Sequence, residues 1–386
     1  MMLNISPRRS ILLAICFLMQ TDGVDSFSEA FVSSRPQPLT IQSKLSVSHQ
    51  VDPETATRKL KEKPAGVTQA IANGEIPSAT SFPGDGVVGN KFVLGNDPKT
   101  SSGKSAIYTA KPIDGEYEVI VKLSSNTEAL QREKENYERI VGNAEDEGLF
   151  VQVHDYLDQA DPNNDAMKEQ AALIMEKGEQ DLQTYIQTHG PLKGEQLQDA
   201  MRSVSKCVEA VHASKMVWTE IKGANFVIAP SKEKIQEGQP YLDTLNIKGI
   251  DLESAVPKHE NPIDFSAEAI PPCFAIDFLC GREPNAKMEK SFDIWSTGIL
   301  FYKLATGKAY FNKEIKDGIE IAMALKNAAV QQGQEGSLDL NKHGNIDEII
   351  DADLKDLISS CLKIDPAQRP TIGEVLAHPF FSKSYS

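Results

Sequence analysis

Apolar positions follow two different spacings along the chain, and the change comes near its middle. From Lys91 to Met175 the apolar runs are short and rich in β-branched residues, which predicts strands. KFVLG, SAIYTA and EYEVIVKL are three such runs, and PIDG, Pro112 to Gly115, separates the last two as a hairpin turn. Glu128 to Val141 then reads as a charged helix with Leu130, Tyr137, Ile140 and Val141 on its apolar side. VQVHDYL and AALIME follow as two more strands, joined by the polar loop DQADPNNDAMKEQ. After Met175 the spacing turns helical. Leu197, Met201, Val204, Val208 and Val211 recur at steps of three and four, which marks one buried stripe. DIWSTGILFYKLATG is apolar nearly all round and should lie inside the domain, with Gly307 as its C-cap. DADLKDLISSCL places Leu354, Leu357, Ile358, Cys361 and Leu362 on one face, and Thr371 with Glu374 announces a last helix through a capping box. A β-rich half followed by a larger helical half predicts an α+β, two-lobed fold.

The first 87 residues carry a different pattern. Arg8 and Arg9 precede Ile11 to Met19, nine apolar residues, too few to span a bilayer but suited to a signal-peptide core. Ser28 and Ala30 supply the small residues for cleavage after Ala30, so residues 1–30 read as a signal peptide. FVSSRPQPLTIQSKLSVSHQV follows with no acid before Asp52, and clustered Lys, Glu, Pro, Gly and Ser run on from there; residues 31–87 read as a transit-like segment and linker. The combination resembles the two-part presequences of plastids reached through the secretory pathway. The expected address is a plastid, with plain secretion or an endomembrane lumen as the alternative. No transmembrane helix is expected in the mature chain, whose folded domain should span residues 88–382.

Charge narrows the partners. With 40 Lys and Arg against 55 Asp and Glu, the chain carries a formal −15, which works against a nucleic-acid or anionic-membrane surface and points to a protein or small-molecule partner. Cys16, Cys207, Cys273, Cys280 and Cys361 show no metal-ligand spacing.

Chemistry is carried by order. Lys122 ends VIVK, an acid-rich helix follows, and MEKG sits at the junction of the halves; E-I-K-G-A-N, I-D-L-E, D-I-W-S-T-G and Q-R-P-T then come in that sequence. Together these motifs resemble the eukaryotic protein kinases over residues 88 to 382. The resemblance implies ATP and Mg2+ as cofactors, a Ser/Thr acceptor on a protein substrate, and a division of roles in which positioning and charge neutralisation dominate. It assigns Lys122 to the α- and β-phosphates and Glu133 to the helix glutamate that pairs with it, with Glu135 as the other register. Met175 stands just before the adenine-contacting hinge, represented by Glu176 and Gly178. Gly95 and Gly103 are what remains of the glycine-rich loop. Glu220 occupies the place of the catalytic acid, Lys222 would steady the transferred phosphoryl group, and Asn225 with Asp251 would hold the metal through oxygen ligands. Asp293 matches the aspartate that anchors the catalytic loop, or is a helix N-cap, or both.

Five departures accompany the matches. H-R-D is here Trp218, Thr219, Glu220, which lengthens the acid by a methylene and removes the arginine that commonly grips an activation-loop phosphate. The glycine loop has become LGNDPKTSSGKSAIY, where Asp97 and Pro98 oppose close backbone approach to phosphates. D-F-G is Asp251, Leu252, Glu253, and Glu253 adds a carboxylate that either repels nucleotide or serves as an extra ligand. A-P-E is Pro271, Pro272, Cys273, so Arg369 of Q-R-P-T must find another acceptor. The segment between Asn225 and Asp251 is long, with PSKEKIQEGQP as a surface loop. Two readings stand: a slow serine/threonine-type protein kinase, and a pseudokinase scaffold or nucleotide-sensing module.

Overall fold

The computed structural model describes residues 86–96, 98–101, 105–144, 148–161, 167–229, 245–279, 287–310, 321, 324–325, 349 and 351–385, all within one compact unit, Pro83–Ser386. The signal-peptide segment, residues 31–85 of the transit-like segment, Gly103, PSKEKIQEGQP and Cys280 lie outside the described residues.

The β-rich half is an antiparallel sheet. Its strands are β1 (Val87–Val88), β2 (Phe92–Leu94), β3 (Thr100–Ser101), β4 (Ser105–Pro112) and β5 (Val119–Ser124), then β6 (Val153–Leu157) and β7 (Ala171–Glu176) after an intervening helix. They lie in the order β1-β2-β4-β5-β7-β6, with β3 on β4. The predicted hairpin is β4 and β5, in which Ile107 pairs with Lys122 and Tyr108 with Val121. Alternation sets the faces: Ala106, Tyr108 and Ala110 of β4 and Val119, Val121 and Leu123 of β5 are buried, while Lys122 points to the opposite face. That face meets helix α1, Thr127–Val141, capped by Asn126, whose Oδ1 accepts the N–H of Ala129. The buried stripe of α1 is Leu130, Glu133, Tyr137 and Ile140, one carboxylate set among apolar side chains.

The chain then crosses through the short strand β8, Gln180–Asp181, into helices α2 (Leu182–His189) and α3 (Gly194–Ala213). Leu197, Met201, Val204, Val208 and Val211 are all buried on α3, as their spacing requires. Four very short strands follow: β9 (Met216–Val217), β10 (Phe226–Ile228), β11 (Ile247–Gly249) and β12 (Val256–Pro257). Their pairing creates the site. β10 lies between β8 and β11, and β9 pairs with β12, so Phe226 stands opposite Gly249 and Val217 opposite Val256. The loop 218–225 and the loop 250–255 are thereby tied together at both ends.

Helix α4, Pro272–Leu279, precedes α5, Lys290–Thr306, which is buried over most of its length and ends at Gly307 with φ 68°, the left-handed cap expected of that glycine. Its N-cap is Glu289. Asp293 sits inside the first turn, so its alternative reading as an N-cap is corrected. Helix α6, Ala352–Cys361, buries Leu354, Leu357, Ile358 and Cys361. Helix α7, Ile372–Leu376, starts with the complete Thr371–Glu374 capping box. Among the described residues no helix is long and apolar enough to cross a membrane.

Candidate functional site

Lys122 is the centre of the site. Its Nζ donates to Glu133 Oε2 at 2.6 Å, to Asp251 Oδ1 at 3.2 Å and to Glu253 Oε2 at 3.2 Å. Glu133, not Glu135, is therefore the helix partner; Glu135 instead accepts from Gln131 on the surface of α1. Glu133 is 1 % exposed, and burial pushes its pKa up to about 7, against the pull of Lys122 and with Asp251 and Glu253 adding to the rise. Although burial opposes the charged form of Lys122, Glu133, Asp251 and Glu253 outweigh it and hold its pKa well above the usual lysine range.

Helix α1 also grips the loop that carries Asp251. Asn136 Nδ2 donates to Leu252 O at 2.8 Å and Ala255 O at 3.0 Å, Arg132 Nε donates to Glu253 O at 3.3 Å, and Tyr137 Oη accepts the N–H of Asp251 at 3.1 Å. Trp218 Nε1 donates to Asp251 O at 3.1 Å. Asp251 is held with φ 62°, outside the usual range for a residue with a Cβ, and these contacts keep it there. The sequence reading missed Arg132, Asn136 and the Tyr137 hydroxyl. Their signal was available, because positions 132, 133, 136 and 137 put polar groups on the side of α1 that also carries its apolar stripe.

The loop 218–225 is anchored from below. Asp293 accepts the N–H of Trp218 at 2.8 Å and of Thr219 at 2.9 Å, and its Oδ2 lies 3.0 Å from His212 Nε2. Thr219, at φ 67°, has its hydroxyl 2.9 Å from Asp264 O and 3.1 Å from Ser254 O, so its one proton, shared between the two carbonyls, ties the loop to both ends of the segment that follows Glu253. Trp218 packs on Phe150 and Phe226 beneath it.

Glu220 is largely buried, its side chain 13 % exposed. Its Oε1 accepts from Lys222 Nζ at 2.9 Å and from the Ser266 hydroxyl at 3.4 Å. Burial raises its pKa, with Lys222 opposing and Asp251 and Asp264 reinforcing the shift. Asn225 donates Nδ2 to Glu220 O at 2.9 Å, which leaves its amide oxygen as the end turned to other work. Asn225 Oδ1 and the Asp251 carboxylate are hard oxygen donors of the kind magnesium takes, and Asp251 also belongs to a cluster with Glu133 and Glu253 whose carboxylate oxygens lie within 4.8 Å of one another.

The hinge is held by contacts around it. Glu176 accepts Lys248 Nζ at 2.8 Å and the N–H of Gln152 at 3.0 Å, and Met175 is buried in β7. Gly178 lies so close to β10 that a Cβ there would be 2.7 Å from Val227 Cβ, so only glycine fits. Gly95 donates its N–H to Thr109 O within the sheet. At the far side of the helical half, Arg369 is buried and donates to Lys363 O, Ser291 O and Ile364 O, with Nη2 3.8 Å from Cys273 Sγ. Backbone carbonyls have replaced the missing acid, as the sequence required.

A protein kinase domain family model matches residues 102–381, more than half of the chain. Among similar proteins are the dual specificity protein kinase Ttk of Danio rerio, 24 % identical over 209 residues, which are 54 % of this chain and 19 % of the relative. Tribbles homolog 2 of Mus musculus is 23 % identical over 216 residues, 56 % of this chain and 55 % of the relative. The Aurora kinase of Saccharomyces cerevisiae is 24 % identical over 200 residues, 52 % of this chain and 45 % of the relative. The match thus spans less than two thirds of the length of each of these curated relatives. Nucleotide and divalent-metal use, and a protein substrate or partner, go with this family in general. The chain belongs to the protein kinase family, as a divergent member with an α+β, two-lobed kinase fold.

Proposed function

We propose that the chain is a slow ATP-dependent phosphotransferase that modifies serine or threonine on a protein, with Glu220 as the acid that takes up the acceptor hydroxyl. The observation that carries this reading is the seat of Glu220, whose carboxylate accepts from Lys222 at 2.9 Å and has a serine hydroxyl, that of Ser266, 3.4 Å away. Lys122 and Lys222 would bind phosphate oxygens, and Asn225 with Asp251 would hold magnesium. Magnesium, when bound, neutralises phosphate charge. Gly95, Gly103, Met175, Glu176 and Gly178 would frame the nucleotide. Glutamate in place of aspartate moves the carboxylate by roughly an ångström or more, and misplacement on that scale can cost on the order of a hundredfold in rate. Slow turnover follows.

A second reading, a pseudokinase scaffold or nucleotide sensor, is favoured by one observation: the donors of Lys122 are already taken by carboxylates. Phosphate transfer from Mg-ATP to protein acceptors by the unmodified chain, Glu220→Asp and Glu220→Ala separates the two. The kinase reading expects Glu220→Ala to lose about a hundredfold while nucleotide binding survives; equal rates for Glu220→Ala and the unmodified chain would leave the scaffold. For the address, we infer entry to the secretory pathway and delivery to a plastid from residues 1–87; a fluorescent fusion of residues 1–60 found outside the cell would refute the plastid.

A further inference from the structure

We propose that Glu253 is a displaceable partner of Lys122 that makes nucleotide binding depend on a divalent cation, so that the site rejects a metal-free nucleoside triphosphate and accepts the metal-bound form. This rests on the nucleotide-binding reading above and says which form of the ligand that site takes.

An ammonium group has three N–H donors and no acceptor. Lys122 spends its donors on Glu133, Asp251 and Glu253, so a phosphate oxygen reaches it only by displacing one of the three. Glu133 is enclosed between α1 and the sheet. Asp251 is fixed through its own backbone, with its N–H on Tyr137 and its carbonyl on Trp218. Glu253 is as exposed as Asp251, 37 % against 36 %, but its backbone is held through one contact, the carbonyl that accepts from Arg132, where Asp251 is held through both N–H and carbonyl. Its carboxylate is the one that swings away without moving the chain.

Charge then sets the condition for that swing. One lysine faces three carboxylates whose oxygens lie within 4.8 Å of one another, which leaves an excess of negative charge where a polyanion must enter. A metal-free triphosphate has to expel Glu253 and then sit beside it and Asp251, and like charges brought together oppose binding. A divalent cation arriving with the nucleotide removes that repulsion and offers the released carboxylate a hard partner. The family pattern has glycine at this position, so what Glu253 adds to the metal dependence is this chain's own.

The experiment is a titration of the full chain with a fluorescent ATP analogue, in excess Mg2+ and in excess chelator, for the unmodified protein, Glu253→Gln, Glu253→Asp and Glu260→Gln. Glu260 is exposed and controls for the general loss of one negative charge. Thermal melting of each variant checks that it is folded. The unmodified chain and Glu260→Gln should bind at least about tenfold more weakly in chelator, and Glu253→Gln should reduce that ratio by about tenfold, chiefly through tighter metal-free binding. Glu253→Asp keeps the charge and should keep most of the metal dependence. A ratio near one in the unmodified chain, or the same ratio in folded Glu253→Gln, overturns the role of Glu253 while nucleotide binding stands. No binding by any folded variant in either condition overturns the nucleotide reading, and this inference with it.

Discussion

Two cations of the kinase pattern have each had a partner changed, in opposite directions. Lys122 has gained a carboxylate, Glu253, beyond Glu133 and Asp251. Arg369 has lost one to Cys273, and among the described residues its hydrogen bonds go to three backbone carbonyls and that sulfur. The difference follows their surroundings. Arg369 is closed in by helices and stacked over Trp295, so its compensation has to be permanent, and neutral carbonyls at fixed positions supply it. Lys122 opens on the cleft through Asp251 and Glu253, both about a third exposed, so its extra partner is free to leave. Excess charge at an open site is a device for exchange; a neutral cage around a buried cation holds structure.

Removing Arg369 should have the largest effect. Arg369→Ala strands three carbonyls and should cost about 3 kcal/mol or more in a denaturant titration. A loss below about 1 kcal/mol would mean that the carbonyl cage does not hold this region together. Asn136→Ala comes next. It releases Leu252 and Ala255 from α1, and should cost about 2 kcal/mol and weaken nucleotide binding. Unchanged binding would separate the loop's position from its chemistry. Restoring an acid near Arg369 is a smaller change: Cys273→Glu should raise stability by about 1 kcal/mol, whereas Cys273→Ala should stay within about 0.5 kcal/mol of the parent. If Cys273→Glu destabilises, the cage has closed around the cysteine and the two sites are less alike than their sequence origin suggests.

The remaining prediction is a pH slope. The pKa of Glu133 rises from 4.5 to about 7 on folding, so between these values the folded state holds more proton than the unfolded one. Its contribution to stability therefore falls as pH rises through that window. Stability measured for the parent minus Glu133→Gln should decline from pH 4.5 to 7, and a flat difference would show that Lys122 offsets the burial entirely.

Much of this was legible in the residues. The hairpin carrying Lys122, the apolar stripe of α1 and the helical cores follow from spacing, because burial on one face writes itself as a period. Glu133 instead came from the resemblance to the kinase motifs, with Glu135 open as the other register. Asn225, Asp251 and Asp293 were placed by order along the chain. What could not be read was contact across long separations. Lys122 and Glu253 lie 131 positions apart, and only the fold decides whether the added carboxylate turns to lysine or to solvent. The acceptors of Arg369 are carbonyls, which every residue has and no pattern marks. Thr219 looked like a lost arginine; in three dimensions its hydroxyl joins the catalytic loop to Ser254 and Asp264 without any phosphate.

A crystal structure of the full chain with Mg2+ and a non-hydrolysable ATP analogue tests the contrast most directly. The expected result is Lys122 still on Glu133 and now on a phosphate oxygen, Glu253 turned away from it, Asn225 and Asp251 on the metal, and Arg369 unmoved on its carbonyls. Nucleotide bound while Lys122 keeps Glu133, Asp251 and Glu253, or Arg369 shifted while the Lys122 cluster stays as it is, would contradict the account.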